Sequence, residues 1–311
     1  MILKQLSAAE SFVNKNWWSN WMGLSRTIMA SSLILTLLSN SRYTLFFTGY
    51  QNETFHKFTH YEFNFFSFFS DFRTGIAFAV AGLLLAASGI YPRFTCVLHW
   101  FIAYSFSITS TCMDGGDQVS AILALLLMPI CLLDKRKWHW SEDTAVHSFF
   151  AKATAAAAFY LMSFQIFVIY FFASVGKFKI EEWKNGTALY YWFTQPLFGV
   201  TDFFKPFIEV ILSSPVLTTL LNWSVLVIEL LIAFSIFTTD AERKKKIVFV
   251  GMLFHFFIAL FMGIISFSFV MCSALLLLIS NTANYEFRNA NLPSAAFDFR
   301  SLLFLPAKKD K

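Results

Sequence analysis

Residues 155–176 read AAAAFYLMSFQIFVIYFFASVG, a run without one charged side chain that ends directly at Lys177. At 1.5 Å per residue it would reach about 33 Å as a helix, enough for a hydrocarbon core of about 30 Å. Similar apolar runs occupy about residues 24–40, 74–90, 94–111, 117–133, 218–238 and 247–280. The last would extend about 50 Å as one helix, so a break near Gly263 into two helices is expected. The pattern predicts an all-α polytopic transmembrane bundle of about eight spans, within a range of six to eight. Composition agrees, because 57% of the chain is hydrophobic and 14% charged, against about 25% charged in an ordinary soluble domain. The 41 phenylalanines and 9 tryptophans suit acyl chains and headgroup belts alike.

The net charge of +5 does not point to nucleic acid, since the lysines and arginines fall between apolar runs and report topology. With eight spans and a cytoplasmic N-terminus, inner segments carry 16 of them and outer segments 7, with Arg26 inside the first span. Both termini are then cytoplasmic and Lys177 faces outward. A signal peptide at residues 24–40 is the competing reading, but Arg26 interrupts the run and no small-residue cleavage site follows. No linker or repeat divides the chain, giving a transmembrane domain over 1–282 and a cytoplasmic tail over 283–311. The four cysteines, Cys96, Cys112, Cys131 and Cys272, lack metal-ligand spacing and read as small buried hydrophobes.

The first outer loop, residues 41–73, places Phe65, Phe68, Phe69 and Phe72 at i, i+3, i+4 and i+7, the spacing of an amphipathic helix lying on the outer leaflet. Glu53, His56 and His60 precede it at i, i+3 and i+7 and could share one face as zinc ligands. With no fourth ligand, exposed polar positions are the simpler reading, and no metal site is assigned.

Polar residues elsewhere define candidate sites. Asp114 and Asp117 flank two glycines before the fourth span, where a helix cap accounts for one carboxylate and leaves the other to bind a cation, a peptide amine or Lys177. Glu229 and His255 lie near the centres of consecutive spans, at comparable depth, and are expected to pair, either locking two helices or relaying protons. Gln165 and Arg26 are further intramembrane polar groups, with His99, Ser105 and Ser107 secondary. Lys177 has two readings of its own, a side chain snorkelling to the headgroups or a partly desolvated amine acting as base. Span centre and span edge are about 15 Å apart, so Lys177 and His255 are not expected to share a proton directly.

The segments NWWSNWMGLSRTIMASSLILTLLSN (16–40), DGGDQVSAILALLLMPICLLDKRKWHW (114–140), QIFVIYFFASVGKFKIEEWKNGTALYYW (165–192) and FHFFIALFMGIISFSF (254–269) together carry a resemblance. Their order and spacing over residues 14–282 resemble the HTTM membrane domain shared with vitamin K-dependent gamma-carboxylases, and within it the SdpB family of sporulation-delaying-protein maturation factors. The SdpB-like resemblance implies a bacterial plasma-membrane protein that acts with a small SdpA-like partner on an exported peptide precursor to yield a secreted toxin. The carboxylase resemblance implies a lysine base acting on reduced vitamin K, with Lys177 in the matching place. The assignments are Lys177, His255 and Glu229 as catalytic candidates, and Asp114, Asp117, Trp183, Tyr190 and Gln165 as substrate contacts. The residues themselves assign no cofactor. A maturation factor leads, with a quinol-using or carboxylase-like enzyme and a transporter or immunity protein as alternatives.

Overall fold

The computed structural model describes residues 17–46, 63–196 and 199–280. Its regular secondary structure in these residues is helical, with a single isolated antiparallel bridge between Ile90 and Trp138. The helices are α1 (Asn20–Ser39), α2 (Arg42–Phe46), α3 (Phe72–Ser88), α4 (Pro92–Thr109), α5 (Gly115–Leu132), α6 (Phe149–Lys177), α7 (Glu181–Lys184), α8 (Ala188–Thr194), α9 (Lys205–Leu212), α10 (Pro215–Phe234), α11 (Ala241–Met262) and α12 (Ile265–Ile279). Five of them, α1, α5, α6, α10 and α11, are long and apolar enough to cross a membrane.

Local chemistry sets these boundaries. Asp71, Ser148, Ser214 and Asp240 cap the N-termini of α3, α6, α10 and α11 by accepting backbone N–H bonds, and Pro92 and Pro215 open α4 and α10 where no amide is needed. The expected break at Gly263 is present: α11 stops at Met262, Gly263 turns with φ 71°, and α12 begins two residues later. Sequence periodicity errs at Phe65–Phe72, which form no continuous helix. A 3₁₀ turn over Phe65–Phe68 ends in extended Phe69, and Asp71 then starts α3. The cap outcompetes the i, i+3, i+4 pattern because it satisfies the free amides of Arg73 and Thr74. Glu53, His56 and His60 lie outside the described residues, as does the tail 283–311.

α12 is the hub, packed against α1, α5, α6 and α11. Its residues from Ser273 to Ile279 are all buried, which is why its sequence is apolar on every side. Lipid offers no hydrophobic driving force between helices, so close approach and polar contacts must hold them together. Accordingly Ser32 and Ser273 bridge α1 and α12 through Ser266 O and Ser25 O, each at 2.8 Å. Gly116 lets α5 approach so closely that a Cβ there would stand 2.8 Å from Phe267 Cα. A second cluster joins α1, α3 and α4 around Leu33, Leu83, Ile102 and Phe106.

The segment between α5 and α6 carries a buried polar network. Arg136 pairs with Asp134 at 2.8 Å and donates to Asn20, His139 O and Ser141 O. His147 bonds Asp143 at 2.9 Å and stacks on Trp18 with centroids 3.6 Å apart. His139 sits against Gly23 and Gly89, and burial together with Arg26 and Arg136 pushes its imidazole down to about 3.

Candidate functional site

Lys177 is the last residue of α6. α6 and α10 run antiparallel, as Phe178–Trp223 contact at one end and Phe167–Phe237 at the other shows. Side chains in a helix lean toward its N-terminus. On antiparallel helices the Lys177 and Glu229 side chains therefore lean toward each other, and they meet although their Cα atoms lie at different depths. Nζ donates to Glu229 Oε1 at 2.6 Å, to Oε2 at 2.7 Å and to Ala173 O at 3.0 Å. The Lys177 side chain is 20% exposed and that of Glu229 9%. Trp183 of α7 covers the ammonium, its ring centroid 5.2 Å from Nζ, and is itself held by Asn222 donating to its carbonyl at 3.0 Å.

This arrangement overturns the expected Glu229–His255 pair. Glu229 is taken by Lys177, and buried His255 instead shares a 2.7 Å hydrogen bond between its Nε2 and the hydroxyl of Tyr170. Tyr170 lies within electrostatic reach of Glu229 and on the same α6 face as Lys177. The sequence contained a signal for it, because Tyr170, Ser174 and Lys177 recur at i, i+4 and i+7 on one face of α6. Ser174 occupies the middle position and donates to Leu226 O at 3.1 Å. Tyr170→Phe would leave His255 Nε2 buried without its partner and is expected to destabilise by about 1–3 kcal/mol. A thermal midpoint in detergent equal to that of the wild type would rule this bond out.

The two aspartates are explained by one device. Asp114 accepts the Asp117 N–H at 3.0 Å while Asp117 accepts the Asp114 N–H at 3.1 Å, a reciprocal capping box that uses both carboxylates. The second is therefore not spare, and Asp117 is buried rather than solvated. Asp114 also receives Ser266 Oγ at 3.1 Å, tying α5 to the first turn of α12. Since Lys177 is engaged by Glu229, the alternative Asp–Lys177 pair is not formed. Of the other candidates, Gln165 is half-buried on α6 and Tyr190 is exposed on α8, edge-on to Tyr191 at 5.5 Å. The structure thus joins Lys177, Glu229 and Trp183, sets Tyr170–His255 beside them, and keeps the aspartates in a separate structural role. A groove of about 650 Å³ lies elsewhere, lined by Leu38, Arg42, Tyr43, Arg73, Ile76 and Val80.

Apolar helices of spanning length, joined by serine and glycine contacts and enclosing a lysine–glutamate pair, define a helical membrane protein with a polar centre between α6 and α10. The chain belongs to the HTTM domain family, whose model matches residues 14–282. It is 34% identical over 283 residues to the sporulation-delaying protein SdpB of Bacillus subtilis (strain 168), covering 88% of this chain and 86% of that one. It is 32% identical over 286 residues to the uncharacterized protein YitO of the same strain, covering 86% and 87%. No solved structure matches the chain.

Proposed function

We propose that the chain is a multi-pass factor of a bacterial plasma membrane, required to mature an exported peptide toxin and acting at the outer face. The observation that carries this reading is the Lys177–Glu229 pair under Trp183, in a chain 34% identical to SdpB. Eight spans with both termini cytoplasmic place α7, α8 and α9 outside, where Trp183 and Tyr190 would meet the exported precursor. Asp114 and Asp117 would lie on the same face, and Gln165, Glu229 and His255 beneath it. A small SdpA-like protein is the expected partner.

The carboxylase-like alternative needs Lys177 as a free amine facing a quinol. An ammonium has three protons to donate, and the three acceptors around Nζ are Ala173 O and both oxygens of Glu229. A quinol hydroxyl finds no open valence there, so the residues present do not fit that group. Lys177 serves instead as a fixed cation, with Glu229 as its counter-charge across contacts of 2.6 and 2.7 Å.

Deleting the gene in a toxin-producing strain tests the assignment. The expected result is loss of the mature secreted peptide by intact mass with retention of the precursor, and restoration by the gene in trans. Normal secretion of mature peptide by the deletion strain would overturn it.

A further inference from the structure

The groove between the end of α1 and the start of α3 lies apart from the Lys177 centre. Its volume of about 650 Å³ falls within the range of about 300–1,000 Å³ usual for small-molecule sites. One wall is apolar, with Leu38 from the last turn of α1 across from Ile76, Ala77 and Val80 in the first half of α3. Leu38 is 66% exposed. The groove therefore opens outward from the helices, and for apolar helices such as these the surroundings are bilayer.

Two arginines close the other end. Arg42 of α2 and Arg73 of α3 both line the groove. The Arg42 guanidinium lies 4.7 Å from the centroid of the Tyr43 ring and its Nη2 donates to the Tyr43 hydroxyl at 2.8 Å, which holds it at the rim. Asp71, the carboxylate within electrostatic reach of Arg42, is already engaged as the cap of α3. Its Oδ1 accepts the Arg73 and Thr74 amides at 2.7 and 3.1 Å, and its Oδ2 accepts the Thr74 hydroxyl at 2.7 Å. Among the described residues neither arginine forms an ion pair. Two guanidinium forks thus share one end of the groove, and such forks match the oxygens of a phosphate.

The shape says what the phosphate is attached to. Seven residues separate Arg73 from Val80, or about 10 Å along α3. The groove is charged at its mouth and apolar for the next two turns, so a free anion would leave the wall empty, whereas an acyl chain joined to the anion would cover it. A zwitterionic headgroup would bring its own ammonium against the two guanidiniums. We propose that the groove binds one anionic phospholipid, its phosphodiester held by Arg42 and Arg73 and one acyl chain laid along Leu38, Ile76, Ala77 and Val80. Basic pockets between membrane helices hold anionic headgroups by the same chemistry. Because the lipid bridges α1 and α3 only when they are packed together, its binding also raises the stability of the folded chain.

The test uses the full chain in neutral detergent, with palmitoyl-oleoyl phosphatidylglycerol as the probe and phosphatidylcholine of the same chains as the comparison. Native mass spectrometry is expected to show a one-to-one phosphatidylglycerol adduct, about tenfold tighter than the phosphatidylcholine adduct, together with a raised thermal midpoint. Arg42→Gln with Arg73→Gln should bring the two lipids level and leave the lipid-free midpoint close to that of the wild type. Ala77→Trp, which fills the groove and leaves the charges in place, should weaken both lipids. Equal affinity of the wild type for the two lipids overturns the proposal, as does an undiminished preference in the double arginine variant. Should that variant fail to fold, Ala77→Trp decides, and unchanged phosphatidylglycerol binding there overturns the proposal as well. Displacement of the lipid by inorganic phosphate would make this a free-anion site, and a dimer lost in the double arginine variant would give the groove to a second copy of the chain. Either result overturns the lipid assignment.

Discussion

Lys177→Met is expected to be the most damaging single change near the candidate site, destabilising by about 3–5 kcal/mol, because it strands a buried carboxylate with no counter-charge. The Glu229 side chain is only 9% exposed, so water cannot make up the loss. The double change Lys177→Met with Glu229→Gln removes the stranded charge and should recover most of that stability. Lys177→Arg should keep it, since a guanidinium can hold both carboxylate oxygens. If the pair is the working centre, the double variant folds yet secretes no mature peptide, whereas normal secretion would show the charges to be structural. Thermal midpoints in detergent and intact mass of the secreted peptide separate the two. A midpoint for Lys177→Met within a degree of the wild type would mean the ion pair does not form.

Gly116→Ala is expected to be the next most damaging change, through packing alone. The added methyl would meet Phe267 Cα at 2.8 Å, and a backbone atom cannot rotate aside as a side-chain tip can. Overpacking of this kind costs about 1–3 kcal/mol, and here α5 and α12 must separate to relieve it. Separation also stretches the Asp114–Ser266 bond and shifts α12, the hub of the bundle. Gly115→Ala is the matched control, since its nearest new contact is Phe267 Cε2 at an ordinary 3.8 Å. Comparison of the two midpoints checks the prediction, and equality would show that the helices do not touch at Gly116.

Particular residues show how far the sequence could be read. The apolar runs anticipated the long helices with starts up to six residues late, as at α6 and α11, and the interruption at Gly263 followed because about 50 Å of helix far exceeds a hydrocarbon core of about 30 Å. Asp71 shows why Phe65–Phe72 misled: periodicity describes which face is apolar, while a cap decides where hydrogen bonding begins. Lys177 and Glu229 each stand out in the sequence but not as partners, because backbone position alone puts them at different depths and hides the opposed lean of side chains on antiparallel helices. Backbone depth alone likewise pairs Glu229 with His255. Asp114 and Asp117 needed only the three-residue spacing of a capping box to be recognised together.

The length of α6 carries a consequence for how this protein sits among lipids. Its 29 residues rise about 43 Å, some 13 Å beyond a hydrocarbon core of about 30 Å. An ordinary tilt of about 20° recovers only a few of those ångströms, so about two turns of the helix must stand among headgroups. Lys152 and Lys177, near its two ends, leave no freedom to slide either terminus deep into the acyl region. Membrane thickness therefore works as a dial on the hydration of the Lys177–Glu229 contact, wetter in short-chain lipids and drier in long-chain ones.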